Sequence, residues 1–149
     1  MRNRIVASGA ALCAAAAVIL TPTTAEAAGP VQIYRVYYDS PGKDTGSNSS
    51  LNAEWVQIIN RGTKTRQLKG WRIHDRTGYT YTFGSFKLGP KKTVKVRTGR
   101  GKNTSANRYW GRRWYVWNNT GDTAYLRRPS GSLADSCSWS KKGSGHKYC

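Results

Sequence analysis

Between residues 31 and 139 no apolar stretch recurs at the 3.6-residue period of an amphipathic helix. Instead, short β-branched and aromatic runs are broken at close intervals by Gly, Pro, Asn or Asp, a pattern that confines the chain to short strands joined by turns. The clearest run is 79–83 (YTYTF): Tyr79, Tyr81 and Phe83 share one face and the threonines the other, the period of two of a half-exposed strand. Run 31–38 (VQIYRVYY) is rich in strand formers, and 54–60 (EWVQIIN) carries apolar weight on both faces, as at the centre of a sandwich. Leu68, Trp71 and Ile73 supply another buried segment, with a bend at Gly70. In 93–98 (TVKVRT), Val94 and Val96 alternate with Lys95 and Arg97, so the water-facing side is cationic. Runs 114–117 (WYVW), 124–127 and 133–139 read as later strands, and 39–52 and 99–113 as long loops. Seven or more short strands without crossover helices predict an all-β antiparallel fold, a sandwich in preference to a small barrel.

Ahead of these strands stand Arg2 and Arg4, an apolar run from Ile5 to Leu20, and the small-x-small triplet Ala25-Glu26-Ala27. Residues 1–27 therefore read as a secretory signal peptide. The run contains Ser8, Gly9 and many alanines, and falls short of the ~20 strongly apolar residues a bilayer-spanning helix needs. Cleavage after Ala27 leaves 122 of the 149 residues, the size of one domain: a sandwich over 28–139 and a basic tail over 140–149. Cys13 departs with the leader, and the remaining pair, Cys137 and Cys149, predicts one disulfide in an oxidising, extracellular compartment. That bond would tie the tail to the body.

The ordered blocks Asn52-x-Glu54-Trp55-Val56-x-Ile58-x-Asn60-x-Gly62, Leu68-x-Gly70-Trp71, an aromatic strand ending at Phe83, Leu88-x-Pro90, Val94-x-Val96 and Trp117-Asn118-Asn119-x-Gly121-Asp122-x-Ala124-x-Leu126 resemble the lamin tail domain, in its secreted bacterial form. The resemblance covers residues 31–139 and implies an immunoglobulin-like β-sandwich. It implies an interaction module for DNA, proteins or membrane-associated partners, whose bacterial relatives accompany secreted nucleases and phosphoesterases. It brings no catalytic set. The matched residues read as structural: Asn60 and Gly62 shape a turn, Gly70 and Trp71 a bend with a core indole, and Asp122 caps the turn before a strand. The leader, the basic 99–113 loop and the cysteine tail depart from the lamin pattern and point away from a filament role.

Catalytic chemistry is sparse. There is no G-x-S-x-G elbow, and His74 and His146 are the two histidines. A small secreted nuclease or phosphoesterase is the enzyme alternative, with Glu54, Arg72 and His74 as its nominal base and phosphate holders. The cysteine and histidine spacings make no zinc set, and Asp39, Asp44 and Asn48 miss the EF-hand pattern for calcium. No metal or other cofactor is expected.

Charge is the stronger signal. Removing Arg2, Arg4 and Glu26 from 25 basic and 7 acidic residues leaves 23 and 6, a net charge of +17. Such a field attracts polyanions. The 99–113 loop places Arg100, Lys102, Arg108, Arg112 and Arg113 beside Tyr109 and Trp110, residue types that neutralise phosphates and stack on bases. Lys87, Lys91, Lys92, Lys95 and Arg97 form a second patch, and Lys141, Lys142 and Lys147 extend either one. The sequence therefore reads as a secreted, non-catalytic module that binds an anionic polymer by charge with little sequence preference. Its ligand would be DNA, a wall polymer or an anionic surface. A partnership with another exported protein is a further reading.

Overall fold

The computed structural model describes residues 29–140 and 143–149; the leader read at 1–27, and Lys141 and Lys142, lie outside the described residues. Strand β1 (Val31–Tyr37) is followed by helix α1 (Asn48–Ala53), β2 (Trp55–Asn60), β3 (Arg66–Gln67), β4 (Arg72–His74), β5 (Thr80–Thr82) and β6 (Lys87–Leu88). Then come β7 (Thr93–Arg97), β8 (Asn107–Tyr109), β9 (Gly121–Arg127), β10 (Leu133–Ser140) and β11 (His146–Tyr148). One sheet runs β11-β1-β2-β7-β8 and the other β10-β9-β4-β5, with β3 and β6 paired separately. This is the predicted immunoglobulin-like sandwich, antiparallel except where β8 runs parallel to β7.

Period-two patterning decides what each sheet turns inward. Val36, Val56 and Val96 are in cross-strand register on β1, β2 and β7. They join Ile33, Ile58 and Val94 in one buried cluster with Ile73, Ala124 and Leu126 of the second sheet. Each such aliphatic side chain contributes roughly 1.5–3 kcal/mol by leaving water. A chain of rings threads the same core. Tyr38 stacks on Trp139 at 4.7 Å, and Trp139, Trp117, Trp110 and Tyr81 follow edge-on at 5.9, 5.9 and 6.0 Å. Tyr81 then meets Phe83 at 5.0 Å, edge-on as the ring quadrupoles favour.

Three segments differ from the sequence reading. The 39–52 stretch contains α1, which the Ser47 side chain caps by accepting from the Ser50 amide at 3.3 Å. With Leu51 its one buried residue, so short a helix offers no period to detect. Residues 114–117 form no strand: the Val116 and Trp117 amides donate to the Glu54 side chain instead of to a neighbouring backbone. The 99–113 loop doubles back to supply β8 and is sealed by Gly111 N–H to Gly99 O and Arg112 N–H to Thr98 O, both 2.9 Å.

The tail joins the first sheet. Strand β11 pairs with β1, Tyr148 opposite Arg35 and His146 opposite Tyr37, and the Tyr38 and Asp39 amides both donate to Gly145 O. Cys149, just beyond β11, is bonded to Cys137 on β10, so the disulfide staples one sheet to the other. Replacing Cys149 by serine is expected to cost about 3 kcal/mol, the chain-entropy value for this 12-residue loop. It should also speed hydrogen exchange at the Tyr38 and Asp39 amides; unchanged exchange there would show that β11 docks without the bond.

Candidate functional site

On the outer side of the five-stranded sheet, the strand registers build two rows. One runs Tyr148, Arg35, Gln57, Lys95, Asn107 and the other His146, Tyr37, Trp55, Arg97, Tyr109. A register shift between Ile33 and Arg35 puts Arg35 and Tyr37 on this side while Ile33 and Val36 stay in the core. The Arg35 guanidinium lies 4.5 Å from the Tyr148 ring centre, and Lys95 Nζ lies 4.2 Å from that of Trp55. Arg97 donates through Nε to Asn107 Oδ1 at 2.7 Å and through Nη1 to Asn52 O at 2.6 Å. Partial burial first, and then the fields of Arg97 and Arg35, push the Lys95 ammonium below its ordinary range.

The basic loop does not present its side chains together. Arg100, Lys102 and Arg113 are exposed. The Arg100 backbone is clamped by Asn48, which accepts from its N–H at 2.8 Å and donates to its carbonyl at 2.9 Å. Tyr109 packs against Gly101, where a Cβ would come within 2.5 Å of its ring. Trp110, only partly buried, packs against the core edge-on to Tyr81 and Trp117. Arg108 lies 4.8 Å from the Phe86 ring centre and Arg112 4.0 Å from that of Tyr79, which turns both away from the outer rows. Lys91 and Lys92 sit in the turn before β7, where the Lys91 ammonium bonds to Arg61 O. Five residues of strand, about 15 Å, separate them from the loop. Lys87 is exposed on β6. Lys147 is in register with Val36, so it points to the opposite side from Tyr148 and His146.

Carboxylates are turned to internal work. Asp75 accepts from the Gly78 and Tyr79 amides, Asp122 from those of Arg76, Asn118 and Thr123, and Asp135 from those of Ile33 and Ser136. Asp39 and Asp44 share the Asn119 side-chain amide at 3.0 and 3.2 Å. Asn48 is committed to Arg100, so the three oxygen residues weighed for calcium are not gathered. Among the described residues no three of His, Cys, Asp and Glu cluster to hold a metal.

Glu54 is fully buried. Its Oε1 accepts from Thr98 Oγ1 at 2.6 Å and from the Val116 and Trp117 amides at 2.9 and 3.3 Å, while Oε2 is buried with no partner. Burial lifts the carboxyl to about 8, against the pull of those three donors. The bare oxygen is the natural seat of the proton. His74 is held elsewhere: Nδ1 donates to Asp75 O at 2.8 Å, Nε2 accepts from Arg127 Nε at 2.9 Å, and the ring stacks on Tyr125. Arg72 lies opposite Arg127 on β9. Arg72 and His74 thus share one side of β4 beside Arg127, whereas Glu54 is enclosed at the start of β2 in the other sheet with Thr98, Val116 and Trp117, so the nominal base is apart from the other two.

The blocks that prompted the family resemblance have structural roles. Asn60 donates to the Lys64, Leu88 and Gly89 carbonyls and accepts from the Gly62 amide, tying the turn after β2 to β6. A Cβ at Gly62 would come within 3.0 Å of Pro30. A family model described as Lamin Tail Domain matches residues 24–141. The chain belongs to the lamin tail domain family. Comparison with the curated proteins finds no match. In this lamin tail domain Trp71 is only partly buried against the core, whereas Trp117 is enclosed.

Sequence reasoning missed the Arg35, Tyr37, Trp55, His146 and Tyr148 part of the outer rows. The period of two in 31–38 is broken by the register shift, and β11 lies in the segment that reads as a basic tail tied back by a disulfide, not as a strand.

Because the Glu54 carboxyl is raised in the folded state, its favourable contribution is complete below about pH 4.5 and is lost as pH rises through about 8. Urea unfolding should therefore show stability falling across that window, by at most about 1.4 kcal/mol per pH unit from this group. Glu54→Gln should flatten the dependence; an unchanged slope would show that Glu54 is ionised when folded.

Proposed function

We propose that this lamin tail domain protein is exported and non-catalytic, and that it binds an anionic polymer, DNA or a wall polymer, through its surface cations. The observation that carries this reading is the division of labour among charges. The described carboxylates serve backbone amides, hydroxyls and an amide side chain, and the sequence holds 25 basic residues against 7 acidic ones. A surface of this sign raises the local concentration of polyanions and speeds their capture. Arg100, Lys102, Arg113, Lys91 and Lys92 are exposed to contribute, with Tyr109 beside the first two. The leader sequence and the disulfide support export, and no helix among the described residues is long and apolar enough to cross a membrane. Contacts of this kind position a polymer without reading its sequence.

The test is titration of the disulfide-intact protein into labelled DNA at several salt concentrations, with the same mixtures run on a gel. Log affinity should fall linearly with log salt, and DNA and RNA should remain intact with and without divalent cations. Binding indifferent to salt would remove the polyanion reading, and cleavage would return Glu54, Arg72 and His74 to consideration.

A further inference from the structure

We propose that the outer face of the five-stranded sheet is a phosphate-binding platform for one extended phosphodiester chain, with Arg35, Lys95 and Arg97 as its contacts, a deepening of the polyanion reading above, on which it rests. Three cations from β1 and β7 share this face, and none of the described carboxylates stands on either of its rows. Partial burial and then the fields of Arg97 and Arg35 disfavour the charged form of Lys95. Like charges gathered without a counter-charge leave a site whose missing element is an anion.

The rings beneath decide how that anion is held. Trp55 is covered by Lys95, and the Tyr148 ring by Arg35. Tyr37 lies between Trp55 and His146 at 5.5 and 5.6 Å. The ring faces under Lys95 and Arg35 are already taken by those cations and are closed to a base or a sugar, although Tyr148 as a whole remains 55 % exposed. They serve instead as props: a cation seated on a ring, or pinned as Arg97 is by Asn107 and Asn52, loses less freedom when it meets a ligand. What the face presents is charge at fixed positions, the requirement of phosphate oxygens.

Spacing favours a single chain. Arg35 and Lys95 stand on strands separated by one other, roughly 10 Å apart, and Arg97 is two residues, roughly 7 Å, along from Lys95. One flexible chain can bend across all three. Duplex DNA, straight over about 150 base pairs and convex, meets a flat sheet along a narrow stripe.

The experiment compares three probes of equal phosphate count on the full mature protein with its disulfide intact: an abasic oligodeoxynucleotide, an oligothymidylate and a duplex. Two triple variants remove the same charge. One is Arg35→Gln, Lys95→Gln and Arg97→Gln on the face, and the other is Lys43→Gln, Lys64→Gln and Lys69→Gln at exposed positions off the rows. The abasic and thymidine strands should bind within about twofold of each other, and both above the duplex. The face variant should reduce the slope of log affinity against log salt by about 2, from about 0.7 per phosphate lost on a single strand, with the control slope unchanged. Tyr148→Ala, which leaves charge untouched, should weaken binding about two- to fivefold by removing the prop under Arg35. Should the triple face variant fail to fold, Lys95→Gln and Tyr148→Ala carry the same comparison singly. Equal slope changes in both triple variants, a clear preference for thymidine over abasic strand, or preference for the duplex would overturn the assignment. If the unaltered protein bound none of the probes, it would be the polyanion reading itself that had failed.

Discussion

The carboxyl of Glu54 is the hub on which the two halves of the sandwich meet. Its side chain holds the Val116 and Trp117 amides and the Thr98 hydroxyl, and its own carbonyl receives the Thr98 amide at 3.1 Å. The chain leaving β8 must cross from one sheet to the other through residues 110–118, where Trp110, Gly111 and Arg112 still bond to the backbone of 97–99 but Val116 and Trp117 turn to the Glu54 side chain. A buried amide without an acceptor is costly, so this irregular crossing is tolerable because one acidic side chain receives two of its N–H groups. Once fixed there, Trp110 and Trp117 take their places in the line of rings from Tyr38 to Phe83.

From that crossing follows a sorting of chemistry by location. Acidic groups are drawn to turns and crossings, where backbone amides need acceptors. Basic groups are left outside, and the aromatic residues divide between the core and the support of cations on the outer face. A guanidinium or ammonium above a ring keeps both its charge and its orientation. The basic character of the chain is therefore arranged by the fold and not merely scattered over it.

Much of the sandwich was readable because period two survives wherever one face is buried: Tyr81 and Phe83, and the residues of 93–97, take the sides that their alternation assigns, whereas Tyr79 falls before β5 and is exposed. Where pattern failed, something other than burial decided. Residues 114–117 have strand composition, yet Glu54 captures their amides. Helix α1 is set by the Ser47 cap and not by any apolar stripe. Within the candidate site, loop residues 99–113 looked like one basic cluster, but Phe86 and Tyr79 draw Arg108 and Arg112 away and Trp110 packs against the core. Composition identifies which residues can bind an anion; only register shows that Arg35, Lys95 and Arg97 share a face.

Strand β1 holds its neighbours over very different spans of chain. Its pairing with β2 closes a short excursion, but the Ile33 amide waits for Asp135, 102 positions away, and its free edge waits for β11. Loop-closure entropy must be met before contacts of that separation reward it. The β1–β2–β7 ladder closes shorter loops than those contacts do, and without β11 one flank of β1 would offer open N–H and C=O groups. An edge of that kind can template pairing with another chain. The arrival of β11, secured by the bond to Cys137, covers that flank of β1 and replaces it with an edge strand only three residues long, which offers fewer open groups for pairing.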